Sequence, residues 1–143
     1  MTHADILETL LVATHRLTRA SAQATGSSVV SATWTTLSIL LTDGPRRIGE
    51  LARAARISQP GMTKLLHELA ARGWARRTAD LGDSRASLIE ITSEGRAALF
   101  AWRAELAATL APAFADLGDR EWNALRTAAE LLASRTAPEA VAA

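Results

Sequence analysis

The sequence predicts a mainly α-helical protein of the α+β class, in which three helices and a β-hairpin form the centre and helices from both termini frame it. Apolar residues recur at three- and four-residue steps along most of the chain, which is the period of an amphipathic helix. After Gly73 the pattern changes to the two-residue alternation of a strand. With 143 residues, 48% of them hydrophobic, we expect one domain over residues 1–143.

The first two helices are indicated by stripes of large apolar side chains. Residues 4–22 carry such a stripe and are followed by a polar segment around Gly26. Ser31 can cap a second helix by accepting a hydrogen bond from a first-turn N–H, and the helix should end at Asp43-Gly44-Pro45. The inward residues of this helix are Trp34, Leu37, Leu40 and Leu41.

Two shorter helices follow in close succession. After an extended segment at 46–48, we expect a helix over 50–56 with Leu51 and Ala54 inward. Ser58 caps the next helix, and Gly73 ends it in a left-handed conformation. Two helices joined by so short a turn are typical of a helix-turn-helix. The second helix places Met62, Leu65, Leu66 and Leu69 on its inner face and Gln59, Thr63, Lys64 and His67 on its outer face.

A β-hairpin and two more helices complete the predicted chain. Residues 74–78 and 85–91 alternate like strands around a turn rich in Asp and Gly. Thr92 can cap a long helix, which Pro112 kinks or shortens near its end. Asp119 can cap the last helix, which bears Trp122, Leu125 and Leu132.

The helices from the two termini carry more apolar surface than a thin central domain can cover. A second copy of the chain would cover it, so we expect a homodimer held by residues 4–22 and 96–135, with a central part at 31–92. The alternative is that these helices pack only on their own domain. The residues predicted to lie in the dimer interface are Ile6, Leu10, Leu17, Leu106, Leu110, Trp122 and Leu125.

Positive charge is concentrated in the middle of the chain. The segment from Arg46 to Arg85 contains nine basic and four acidic residues. This is an excess of five positive charges in a protein whose net charge is only +1. A basic middle between acidic ends favours a polyanion bound by the centre alone. An ordinary solvated surface is the alternative that charge by itself leaves open.

Several classes of protein are excluded by what the sequence lacks. There is no cysteine, which excludes disulfides, thiolate metal sites and thiol-based redox sensing. With three histidines, no glycine-rich phosphate loop and no His/Glu metal spacing, we expect no enzyme, metal site or cofactor. No run approaches the roughly 20 apolar residues of a membrane span, and Asp5 and Glu8 stand where a signal peptide is basic. We therefore expect a cytoplasmic protein with no membrane partner.

Two motifs carry a resemblance to a known family. The chain resembles the MarR (multiple-antibiotic-resistance regulator) family of winged helix-turn-helix transcription factors over roughly residues 4–135. In that family a GELA helix precedes a recognition helix ending in L-x-x-x-G, and a wing with D-x-R precedes L-T-x-x-G. The matching residues are Gly49 to Ala52, Leu69, Gly73, Arg76 and Arg77 for the first motif, and Asp83, Arg85, Ile91, Thr92 and Gly95 for the second.

The resemblance implies that the helix after Ser58 enters the major groove of double-stranded DNA. Gln59 is the first choice for base readout, because its amide can pair bidentately with adenine. Thr63 and Lys64 are expected to hold phosphates or adjacent bases. His67 is a candidate phosphate contact and equally an ordinary surface histidine. Ser58 and Gly61 complete the predicted DNA-binding set of this helix.

The resemblance also implies a DNA-binding role for the wing. Arg85 is expected to enter the minor groove, where a narrow A·T tract concentrates negative potential, while Asp83 orients it through an ion pair. The alternative is a surface pair of little energetic weight. Arg76 and Arg77 alternate across a strand, so only one of them can face DNA, and the sequence leaves open which.

An effector site and a function follow from the same resemblance. Family members bind small aromatic ligands between dimer helices and winged domain, which places His15, Arg19, Trp34 and Trp102 at such a pocket, although core packing explains the two tryptophans more simply. The expected function is a sequence-specific DNA-binding regulator, a homodimeric repressor of an inverted-repeat operator released by a small aromatic ligand. The alternative is a winged-helix module that binds an acidic protein partner.

Overall fold

The computed structural model describes residues 1–26, 29 and 31–137 and divides into two compact units. The terminal unit contains Met1–Val29 and Ala101–Asp116, and the winged-helix unit contains the described residues of Val30–Phe100 and Leu117–Ala143. The helices are α1 (His3–Thr25), α2 (Ser31–Asp43), α3 (Ile48–Ala55), α4 (Gln59–Ala71), α5 (Ser93–Leu110) and α6 (Asp119–Arg135), and the strands are β1 (Ala75–Ala79) and β2 (Ser87–Ile91).

The core lies in the winged-helix unit, where α2 packs against α3 and β2, α3 against α4, and α4 against β1. The inner face predicted for α4 is confirmed, because all four of its apolar residues are buried. Replacing a fully buried leucine here with alanine is expected to cost about 2–5 kcal/mol of folding free energy. The largest fully buried apolar side chains are Leu37, Leu40, Leu51, Met62, Leu69 and Leu99.

The ends of α4 follow the prediction. The Ser58 hydroxyl accepts a hydrogen bond from the Gly61 N–H at 3.2 Å, which satisfies one of the free first-turn donors. At the other end Gly73 has a φ of +74°. Its N–H donates to the Ala70 carbonyl, and the Trp74 N–H donates to the Leu69 carbonyl at 2.9 Å, so the helix ends in a Schellman motif.

The preceding helix, α3, differs from the prediction in its start and in its inner face. It begins at Ile48, because Arg47 is extended and its carbonyl accepts a hydrogen bond from the Leu51 N–H. The prediction that Ala54 points inward is wrong: Ala54 is exposed and Ala52 is buried. Position 54 lies three residues after the buried Leu51, so spacing alone allows it to face inward, but packing buries Ala52 and leaves Ala54 outside.

The hairpin is antiparallel, with Ala75 opposite Ile91 and Ala79 opposite Ser87. The extended segment predicted before α3 is confirmed at Arg46, which pairs with Ile89 through two backbone hydrogen bonds of 2.8 and 3.0 Å. The second strand starts later than predicted, because residues 80–86 form a hydrogen-bonded turn.

The junction between the hairpin and α5 explains a glycine of the wing motif. Thr92 caps α5 as predicted, since its hydroxyl accepts a hydrogen bond from the Gly95 N–H at 3.0 Å. A Cβ at Gly95 would lie 2.1 Å from the Trp74 carbonyl oxygen. The close approach of α5 to the end of α4 therefore requires a residue without a side chain at this position.

The terminal helices show the predicted order with altered ends. α1 is longer than predicted, because Thr2 and Asp5 form a capping box and Gly26 ends the helix in a left-handed conformation. Ser31 is the first helical residue of α2, and residue 30, where the cap would lie, is outside the described residues. A 3-10 turn containing Pro112 shortens α5. The predicted Asp119 cap is wrong: Gly118 precedes α6 and donates its N–H to the Glu121 carboxylate at 3.1 Å.

Candidate nucleic-acid interface

The outer face of α4 presents polar side chains opposite its buried stripe. Gln59, Lys64 and His67 are exposed, whereas Thr63 is half-buried and donates its hydroxyl to the Gln59 carbonyl at 3.0 Å. A Cβ at Gly61 would lie 3.0 Å from the Ser58 hydroxyl oxygen and 3.1 Å from an Ile57 methyl carbon. The absence of a side chain at Gly61 therefore allows the first turn of α4 to pack closely against Ser58 and Ile57.

The nine basic residues of the middle segment are not equivalent. Arg47 and Arg76 form ion pairs with carboxylates, and Arg72 lies over the Trp74 ring at 4.9 Å. The others have no carboxylate within 4.0 Å among the described residues, so their charge is available to an anionic partner. These six residues, which we call the open cations, are Arg46, Arg53, Arg56, Lys64, Arg77 and Arg85.

The two strand arginines lie on opposite faces of the hairpin. Arg76 stands opposite Glu90, and its Nε donates to the Glu90 carboxylate at 2.5 Å. Arg77 stands opposite the buried Ile89 and on the same face of β1 as the buried Ala75, and both arginines border a small hollow beside His67. Of the two, only Arg77 borders this hollow without a carboxylate partner among the described residues.

The wing tip is a turn held by its own aspartates. The Asp80 carboxylate accepts a hydrogen bond from the Gly82 N–H, and the Asp83 carboxylate accepts one from the Arg85 N–H, each at 3.0 Å. The predicted ion pair between Asp83 and the Arg85 side chain is wrong. Asp83 holds the backbone of Arg85, and its other carboxylate oxygen lies 3.9 Å from Arg47. The Arg85 side chain is left exposed.

A contact that sequence analysis missed joins the start of α3 to the wing tip. The Nε and Nη2 atoms of Arg47 lie 2.9 and 2.6 Å from the same carboxylate oxygen of Asp80. The hydrogen bond from Arg47, followed by the one from the Gly82 N–H, lowers the pKa of Asp80, and the bond to Asp80 raises the pKa of Arg47. The two residues are 33 positions apart, so no local pattern could have paired them.

Arg85 and α3 border one groove within the winged-helix unit. Its lining includes Arg47, Arg53 and Arg85, together with the start of α3 and the residues that follow the wing tip. Two of these arginines are open cations, whereas the third is paired with Asp80. The outer face of α4, the β1 face bearing Arg77 and this groove are the parts of the unit that could hold a nucleic acid by charge.

The winged-helix segment matches a known family. The model of the MarR family matches residues 30–86, which span α2, the helix-turn-helix, β1 and the wing tip. Over this segment the chain is similar to the MarR family of winged-helix regulators. MarR-family proteins are DNA-binding transcriptional regulators rather than enzymes, and the match supports DNA-binding regulation by this chain.

Solved structures share the MarR-family fold over nearly the whole chain. A probable transcriptional regulator from Pseudomonas aeruginosa is 28% identical, with a TM-score of 0.58, over 89% of this chain and 96% of that one. The transcriptional regulator Tm0710 from Thermotoga maritima is 23% identical, with a TM-score of 0.68, over 92% of this chain and 91% of that one. A MarR family protein from Bacillus stearothermophilus is 17% identical, with a TM-score of 0.68, over 92% and 93%. A comparison with curated protein sequences gives no match.

The residues predicted for an effector pocket are divided between the two units. Trp34 is a core residue of the winged-helix unit, only 6% exposed, and its ring stacks on Trp74 with centroids 5.4 Å apart. His15 and Arg19 are exposed on α1, and Trp102 is half-buried on α5. Core packing therefore accounts for Trp34.

The residues predicted for the dimer interface are mostly uncovered in the single chain. Leu10, Leu106 and Leu110 are half-buried. The exposed members of the predicted interface are Ile6, Leu17, Trp122 and Leu125.

No helix within the described part of the chain meets the length and apolarity of a membrane span.

Proposed function

We propose that this chain is a MarR-family regulator, a homodimeric repressor that reads an inverted-repeat operator through α4 and the hairpin wing. The observation that carries the proposal is the two-sided character of α4. Its inner face is buried, whereas Gln59, Lys64 and His67 stand exposed on the other side. Arg77 borders the same hollow as His67. A helix of this kind fits the major groove, with its N-terminal residues nearest the base edges.

Base readout is assigned to Gln59, the first residue after the Ser58 cap. Its exposed amide can donate to and accept from adenine at once. Lys64 and His67 lie further along α4 and are assigned to phosphates. Thr63 is less suited to base readout, because its hydroxyl already donates a hydrogen bond to the Gln59 carbonyl.

Two arginines of the hairpin are assigned to DNA. Arg85 leaves the wing tip with no carboxylate partner among the described residues, as a minor-groove arginine requires. Arg77 is preferred to Arg76, because Arg76 is paired with Glu90 on the opposite face of the hairpin. Phosphate contacts of this kind position a protein, and base contacts specify the sequence.

Dimerisation is supported by the exposed apolar residues of the terminal helices. On α1, Leu7 and Leu11 are 58% and 71% exposed, and on α6 Leu125 is 42% exposed. Large apolar side chains exposed to this extent on both helices are expected to be buried by a second copy. Two symmetry-related α4 helices would then dock in successive major grooves, about 34–36 Å apart, and bound promoters would be closed to polymerase.

Release by a small aromatic ligand remains part of the proposal. His15, Arg19 and Trp102 are its remaining candidate contacts. Titration of the protein with small aromatic acids, followed by tryptophan fluorescence and by release from DNA, tests it. Fluorescence and DNA affinity that both stay constant across such a panel would contradict regulation by this class of ligand.

The salt dependence of duplex binding tests the proposed function. Wild-type affinity for DNA should fall steeply with salt, and Lys64→Ala should reduce the slope of log affinity against log salt by about one. Arg120→Ala, at an exposed arginine of α6 outside the basic middle, is the matched control and should leave the slope unchanged. Binding to an acidic polypeptide but not to duplex DNA would instead support a protein-binding winged helix.

A further inference from the structure

We infer that Arg47 is a positioning residue: through Asp80 it tethers the wing tip to the start of α3 and so sets where Arg85 meets DNA. The inference rests on the proposed role of the wing and extends it to two residues with no assigned part in binding. It also removes Arg47 from the set of cations that contact phosphate.

The backbone on both sides of the Arg47 side chain is fixed. Arg46 pairs with Ile89 of β2 through hydrogen bonds in both directions, at 3.0 and 2.8 Å. The Arg47 carbonyl accepts the first hydrogen bond of α3, from the Leu51 N–H at 2.9 Å. The backbone that carries the Arg47 side chain is therefore held between β2 and the helix-turn-helix.

The far end of the tether is equally well defined. One carboxylate oxygen of Asp80 accepts from both Nε and Nη2 of Arg47, and the other accepts from the Gly82 N–H at 3.0 Å. The Asp80 side chain is only 16% exposed. Both oxygens are thus occupied, one by the start of α3 and one by the turn itself.

A short chain of hydrogen bonds leads from Asp80 to Arg85. The Asp83 N–H donates to the Asp80 carbonyl at 3.2 Å, and the Asp83 carboxylate accepts from the Arg85 N–H at 3.0 Å. The second oxygen of Asp83 lies 3.9 Å from the same Arg47 guanidinium. The guanidinium thus faces both aspartates of the turn, and they hold the backbone that carries Arg85.

Apolar packing does not take the place of this tether. Pairing between the strands ends at Ala79 and Ser87, and Leu81 at the wing tip is completely exposed. The minor groove is only about 6 Å wide, so an arginine that enters it must be presented in a narrow range of directions. Polar links at the base of the tip are therefore what can set that direction.

The tether and a plain phosphate contact predict opposite effects of Asp80→Asn. If Arg47 bound phosphate, removing the neighbouring negative charge would free the guanidinium and strengthen DNA binding. If Arg47 positions the wing, the same substitution weakens the two charge-assisted hydrogen bonds from Arg47 and releases the tip, and DNA binding falls. The effect should be largest where Arg85 contributes most, on sites with A·T-rich flanks.

The test is a double-mutant cycle on the full chain, with affinity measured for one duplex with A·T-rich flanks and one with G·C-rich flanks. The variants are Asp80→Asn, Arg85→Ala and their combination. Glu90→Gln is the matched control, since it removes the other arginine–carboxylate contact of the hairpin with the same change of charge. Thermal unfolding of each variant checks that the winged-helix unit stays folded.

We expect Asp80→Asn to weaken binding to the A·T-flanked duplex by roughly threefold or more, and to have no further effect once Arg85 is alanine. Glu90→Gln should not weaken binding. If Arg85→Ala weakens binding but Asp80→Asn leaves it equal or tighter, the tether is overturned and the wing role stands. The tether would also be overturned if Asp80→Asn reduced DNA affinity equally in the wild-type protein and in the Arg85→Ala variant. No loss from Arg85→Ala would overturn the wing role, and the tether with it.

Discussion

At the scale of single residues, the structure divides the basic residues that the sequence presents as one group. Arg47, Arg72 and Arg76 are each engaged by a carboxylate or an aromatic ring, and the open cations are not. A residue held by an internal partner must give up that contact before it can bind phosphate. Net charge therefore overstates how many cations contribute to DNA binding.

Arg77→Ala and Arg76→Ala form a matched pair of adjacent substitutions. We expect Arg77→Ala to weaken duplex binding and to lower the salt slope by about one, because Arg77 lies beside α4 with no carboxylate partner in the described chain. Arg76→Ala should change the slope little, because Glu90 already neutralises that arginine. Binding measured across a salt series checks both, and a larger loss for Arg76→Ala would reverse the assignment.

The Asp80 carboxyl should titrate below the ordinary aspartate pKa of 3.8, because Arg47 and the Gly82 N–H stabilise its charged form. A lowered pKa means that the contact stabilises the fold above the unfolded-state value and that this contribution is lost as the pH falls through the lowered pKa. Carboxyl carbon NMR shifts followed against pH measure it. In Arg47→Ala the Asp80 pKa should move up towards 3.8, and an unchanged value would contradict the contact.

At the scale of elements, the helices and the core were predictable because apolar periodicity is local information. All four inner residues of α4 and the Ser58 cap can be derived from a stretch of fewer than twenty residues. The inner face of α3 could not, because its short stripe contains several alanines and tertiary packing decides which one is buried. The Arg47–Asp80 contact also escaped prediction, because it depends on how the chain returns after 33 residues.

Gly95→Ala should destabilise the junction of α4, the hairpin and α5. The added Cβ would overlap the Trp74 carbonyl, a backbone atom that cannot move without disturbing the end of α4, so we expect a loss of about 1–3 kcal/mol. Gly49→Ala in α3 is the control. Its Cβ would approach only the Gln59 amide, at 3.7 Å, and helix propensity should make it stabilising by about 1 kcal/mol. Chemical denaturation measures both, and equal effects would contradict the steric account.

At the scale of the whole molecule, exposed apolar residues on α1 and α6 provide a test of assembly that is independent of DNA. Leu125→Asp should convert a dimer to monomers in sedimentation, because the side chain is 42% exposed in one chain and its charge would be buried only against a partner. Leu81→Asp at the completely exposed wing tip is the control and should not affect assembly. A dimer that tolerates Leu125→Asp would place the interface elsewhere.

The function of the whole molecule was predictable from the sequence only in outline. The two motifs were sufficient to indicate the family, since glycine and cap positions are dictated by local backbone geometry. The arrangement of charges on the binding surface was not, because it depends on pairs formed between distant segments.

The most direct test of the central claim is selection of bound duplexes from a random DNA pool with wild-type protein and with Gln59→Ala. We predict enrichment of an inverted repeat with half-sites about one helical turn apart, and loss of about 1–3 kcal/mol of discrimination in Gln59→Ala. Failure to enrich any sequence, or an enriched site with no internal symmetry, would contradict a dimeric regulator that reads DNA through α4.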